Sequence, residues 1–94
     1  MKKPIIQDVR EFLSTHFVSD ITNVSEVGTG EWSFAYFYNH NSKDYVIRFS
    51  DHTDDFKRDQ FAHRFSTQSL PIPEILEIGS ALDGSFAISE KVIG

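Results

Sequence analysis

The chain is 94 residues long, with 39% hydrophobic and 24% charged residues, a formal net charge of −5 and no cysteine. That is one domain's worth of ordinary globular composition, near the lower end of what buries a self-sufficient core. It excludes a disulfide framework or thiolate metal site, a basic surface of the kind nucleic-acid binding needs, and any apolar run approaching the ~18 residues of a membrane helix.

Lys2 and Lys3 are followed by Asp8, Arg10 and Glu11, so no apolar signal-peptide segment develops, and the expectation is a soluble cytoplasmic protein. Pro4 suits a first helical position, and Ile6, Val9, Phe12, Leu13 and Phe17 recur at spacings of three and four, predicting an amphipathic helix. Three strand-like runs follow: Ile21 to Val27, Ser33 to Tyr38 and Tyr45 to Phe49. The short links between them force antiparallel neighbours. Asp51 or Thr53 can cap a second helix reaching Phe65, in which Phe61 and Phe65 lie one turn apart. Leu70-Pro71-Ile72-Pro73 ends that helix, and two strands, Ile75 to Ile78 and Ser85 to Ser89, are joined by the hairpin signal Asp83-Gly84. The fold class expected is α+β: a five-stranded antiparallel sheet, an N-terminal helix and one helix packed on the sheet, as a single domain over residues 1–94.

Few residues carry recognisable chemistry. Gly28-x-Gly30-x-x-Ser33 links two antiparallel strands, where glycine lets backbone approach a phosphate; a hairpin turn that simply needs glycine explains the loop alone more economically. Arg48 interrupts an apolar strand. By alternation it shares a face with Val46 and Ser50, opposite Tyr45, Ile47 and Phe49, and it needs a partner or a ligand. Asp59 on the second helix is a candidate partner, in a structural pair or a functional one. His16, His40, His52 and His63 form no metal-ligand spacing, and Asp51, Asp54 and Asp55 are explained by a helix N-terminus.

In order along the chain, a glycine hairpin, a third-strand cation, a helix acid and two further strands resemble a kinase-like amino-terminal lobe. Met1-Lys2-Lys3-Pro4, Gly30-Glu31-Trp32-Ser33-Phe34-Ala35, Tyr45-Val46-Ile47-Arg48-Phe49, Lys57-Arg58-Asp59, Leu70-Pro71-Ile72-Pro73-Glu74-Ile75-Leu76-Glu77-Ile78-Gly79 and Ala87-Ile88-Ser89-Glu90 resemble the aminoglycoside phosphotransferase family, its hygromycin branch above all. The resemblance implies a lobe that binds ATP with Mg2+. Gly28, Thr29, Gly30, Glu31, Trp32 and Ser33 would cover the phosphates, Arg48 would stand for the third-strand Lys, and Asp59 for the helix acid paired with it. Ser89, Glu90, Lys91 and Val92 would form the inter-lobe hinge that meets adenine.

The 94 residues contain no His-Gly-Asp catalytic loop and no later magnesium-binding Asp. The expectation is therefore a lobe that is truncated, binds nucleotide weakly or not at all and is not catalytically competent alone. Two alternatives are a free-standing binding or self-assembling module derived from such a lobe, and half of a kinase completed by a separate C-terminal lobe. A homodimer is expected through the hinge side or a sheet edge, with Ser85 to Ser89 as the candidate edge and apolar surface near Trp32, Phe34, Val92 and Ile93.

Overall fold

The computed structural model of the chain describes residues 3–18, 21–29, 34–51, 53–62, 64 and 74–91. Helix α1 (Ile6–Phe17) forms over the predicted stripe, with Val9 and Leu13 wholly buried and Ile6, Phe12 and Phe17 packed against the same core. It starts later than Pro4 suggests. Ile5 is the N-cap in extended conformation without a side-chain cap, and the Pro4 carbonyl accepts a 3.1 Å hydrogen bond from the Tyr36 hydroxyl. Val18 closes the helix in the left-handed region at φ 49°.

The strands are β1 (Thr22–Thr29), β2 (Phe34–His40), β3 (Lys43–Ser50), β4 (Ile75–Ala81) and β5 (Gly84–Glu90). Strand β1 carries two register shifts, Thr22/Ser25 and Glu26/Gly28, and Asn23 at φ 56° accommodates the first. The β2–β3 loop is Asn41-Ser42 with both residues at positive φ, the signature of a two-residue type I′ turn. The β4–β5 turn lies one residue before the predicted Asp83-Gly84: Leu82 and Asp83 take φ 52° and 66°, and Gly84 already pairs with Ala81. Leu82 packs against the core, which sets that register despite its unfavourable backbone conformation.

The sheet is antiparallel throughout, in the order β1-β2-β3-β5-β4. Ser85 to Ser89 is therefore not an edge. Strand β5 lies between β3 and β4, because helix α2 (Thr53–Ala62) carries the chain past the intervening position before β4 begins. The described edges are β1 and β4.

Each face has its own core. On the α1 face, Val9 and Leu13 meet Tyr36, Tyr38, Ile47, Phe49, Phe86 and Ile88. The Phe12 ring lies 5.1 Å from Phe86 and 6.2 Å from Phe49. Phe34 packs here too, so it does not contribute to an open apolar patch on the other face. On the α2 face, Phe56 closes over Ile75 and Ala87, with Ile78 beside them. That burial contributes about 1.5–3 kcal/mol. Phe61 is exposed, with the Arg64 guanidinium 5.2 Å from its ring, and Phe65 lies outside the described residues. Among the described residues, no helix is long and apolar enough to cross a membrane.

Candidate functional site

Alternation along β3 sends Ile47 and Phe49 into the α1 core and Arg48 to the opposite face, as the sequence requires. There the Arg48 guanidinium carbon lies 5.3 Å from the centre of the Phe56 ring, a cation held over a buried aromatic face. Register supplies its surroundings. Gly28 pairs with Ala35, Ala35 with Arg48, Arg48 with Ala87, and Ala87 with Ile78, so one row crosses every strand of the sheet. With strands about 4.8 Å apart, Gly28 lies about 10 Å from Arg48 along that row.

Three small residues, Gly28, Ala35 and Ala87, thus surround one long cation. Gly28 and Ala35 leave the sheet surface low on the β2 side of it, while Ala87 on the other side lies buried beneath Phe56, and the cation suits an anion. Phe56, Ala35 and Ala87 were not singled out in the sequence. The available signal was an alanine at the cross-strand position on each side of the strand arginine, but pairing β5 with β3 could not be read from one sequence.

The neighbouring row is Phe37, Val46, Ser89 and Ile75. The Ser89 hydroxyl is buried there with no hydrogen-bond partner. At the end of β5, the Lys91 amide donates to the Asp44 carbonyl at 3.0 Å, and the Lys91 ammonium lies 4.3 Å from the Phe37 ring centre. Since Lys91 bonds toward β3, alternation turns the Glu90 backbone N–H and C=O the other way, past Ile75, where the β4–β5 ladder ends. The Glu90 side chain meanwhile reaches Lys43.

Of the sequence candidates, the structure places Arg48, Ser89, Glu90 and Lys91 along adjoining strands, and the Gly28 and Thr29 backbone at the end of β1. Gly30, Glu31, Trp32, Ser33 and Val92 lie outside the described residues, as does Ile93. Asp59 is on α2, three residues after Phe56, with its side chain outside the description, so the Arg48–Asp59 pair belongs with the proposals below. Among the described residues, no three His, Asp or Glu gather to hold a metal.

No family model matches the sequence. The chain is 36% identical to a hygromycin-B 4-O-kinase of Escherichia coli, across its whole length and 28% of that protein. The crystal structure of aminoglycoside phosphotransferase APH(4)-Ia superposes on 96% of this chain and 31% of its own, with TM-score 0.85 and 30% identity. The chain is an amino-terminal lobe of the aminoglycoside phosphotransferase family. A thermostable mutant of APH(4)-Ia, in ternary complex with AMP-PNP and hygromycin B, matches 93% of this chain and 30% of its own at TM-score 0.80 and 31% identity. The chain therefore spans about a third or less of the length of the phosphotransferases it matches.

Proposed function

We propose that the α2 face of this sheet is the nucleotide-binding half of an aminoglycoside phosphotransferase. The observation that carries it is Arg48 set in a cross-strand row of Gly28, Ala35 and Ala87. Arg48 would take the α- and β-phosphates, Asp59 would hold the Arg48 side chain in place, and the backbone from Gly28 to Ser33 would cover the phosphates. The adenine would lie against Ala35, with the Glu90 backbone groups and the Ser89–Val92 segment at its edge. A Glu90 backbone turned toward the end of β4 fits a hydrogen-bonding ligand at that place. The AMP-PNP and ADP complexes of APH(4)-Ia support a nucleotide ligand.

In phosphoryl transfer the protein mostly positions groups and neutralises charge, and magnesium supplies much of that neutralisation. This chain's share is one cation and a shaped surface. The catalytic loop and the magnesium-binding acid that the resemblance implies are not among its residues, so it binds but does not transfer. With that half alone, affinity for ATP is no better than ~1 mM, about −4 kcal/mol. Titrating the labelled chain with ATP and Mg2+ by NMR is expected to shift Gly28, Ala35, Arg48, Ala87 and Glu90, and Arg48→Met is expected to abolish the response. Phosphorylation of hygromycin B by the purified chain alone, or shifts confined to the α1 face, would overturn the proposal.

A further inference from the structure

The end of β5 reaches back across the open half of the α2 face. Lys91 stands opposite Asp44 of β3, since its amide bonds the Asp44 carbonyl, yet its ammonium lies 4.3 Å from the ring centre of Phe37 on β2. Phe37 pairs with Val46, so β3 lies between the two partners, and their backbones are two strand spacings apart, about 10 Å. The contact therefore spans β3 above Asp44 and Val46. Alternation puts Ala35, Phe37 and Val46 on the same face as Arg48.

That is ground the nucleotide needs. Ala35 lies opposite Arg48 and Glu90 opposite Tyr45, so a base reaching from Ala35 to the Glu90 backbone crosses β3 at Val46. Ala35, Phe37 and Val46 are half-buried, whereas Phe56 closes off Ala87 and Ile75. Lys91 is exposed, so its hold on the Phe37 ring is of the weak, solvent-facing cation–π kind. Contact between a base and an aromatic ring is worth more.

We propose that Lys91 is a strap across the base end of the nucleotide site: in the empty lobe it occupies the patch at Val46 and Phe37, and an entering heteroaromatic base displaces it. The inference rests on the nucleotide reading above and adds a specificity to it. A flat ring covers Phe37 in place of the ammonium. A free polyphosphate has no group to replace that contact and binds with the strap in place.

The test uses adenosine, which is neutral and carries no phosphate for Arg48, so loss of the Lys91 charge does not bias it. In NMR titrations of the labelled 94-residue chain, Lys91→Ala is expected to bind adenosine about two- to fivefold more tightly than the parent, the worth of an exposed cation–π contact. In the parent, adenosine is expected to move the Lys91 methylene signals toward their random-coil positions as they leave the Phe37 ring current. Phe37→Leu should weaken adenosine binding and erase the gain from Lys91→Ala. Inorganic tripolyphosphate with Mg2+ should show no gain in Lys91→Ala. Unchanged or weaker adenosine binding by folded Lys91→Ala, an equal gain for tripolyphosphate, or a gain that persists in Phe37→Leu would each overturn the strap, and the nucleotide reading stands if ATP still shifts Gly28 and Arg48 in those chains. No shift on the α2 face with adenosine or ATP, in the parent or in Lys91→Ala, overturns the nucleotide reading and the strap with it.

Discussion

Replacing Gly79 with alanine tests the packing of the α1 face directly. Gly79 is a β4 residue paired with Phe86, and a Cβ built there would stand 2.7 Å from Phe86 Cε1 and 2.8 Å from Cζ. Its backbone does not require glycine; the occupied space does. The Phe86 ring has little freedom to move aside, since Phe12 lies 5.1 Å away and His16 5.5 Å away. Overpacking costs about 1–3 kcal/mol and the stiffer unfolded chain returns about 0.4–1 kcal/mol, so the net loss is about 1–2 kcal/mol. At about 4–8 °C per kcal/mol for a domain of this size, the melting temperature should fall by about 5–15 °C. Urea and thermal melts followed by circular dichroism measure it. Combining Gly79→Ala with Phe86→Leu should recover about 1 kcal/mol relative to the sum of the two single changes. A Gly79→Ala chain as stable as the parent, or strict additivity in the pair, would refute the reasoning.

The alkaline limb of stability is a second expectation. Burial, with Tyr45 and Glu77 nearby, holds the Tyr38 hydroxyl well above its ordinary pKa of 10.0, and burial and Glu26 raise Tyr36 as well. Below that ordinary value both phenols are protonated folded or unfolded, and their contribution is fully present. Above it only the unfolded chain ionises readily, so stability falls by up to about 1.4 kcal/mol per pH unit per tyrosine. Urea melts between about pH 9 and pH 11.5 should show this slope, and Tyr38→Phe should reduce it; an unchanged slope would contradict the cause given. Ser42→Gly, at φ 67° in the exposed β2–β3 turn, should stabilise the chain by about 0.5–1 kcal/mol in the same melts, because it completes the favoured Asn-Gly turn pair.

Periodicity carried most of the fold. The stripe from Ile6 to Phe17 located α1 because a one-sided apolar pattern has few other uses, and alternation in Tyr45 to Phe49 turned Arg48 away from the main core. Strand order was less accessible. Nothing local to Ser85–Ser89 says that it enters between two other strands; that depends on where α2 sets down the start of β4. Asp83-Gly84 located a turn but missed its register by one residue, since core packing of Leu82 outweighed the backbone preference of glycine. At the site, the cation was legible because charge is conspicuous in an apolar strand. The small residues beside it were not, since an alanine is informative only once its cross-strand neighbours are known.

The central place of β5 also governs how the lobe bears load. Tension applied at Lys91 along the strand axis meets the β3 and β4 ladders together, and both resist in shear, with many hydrogen bonds loaded at once. Tension applied across β1 at the sheet margin opens one irregular ladder bond by bond. The sheet should therefore be mechanically anisotropic: stiff where β5 leaves it beside the proposed adenine edge, and compliant at the margin that leads into the glycine loop.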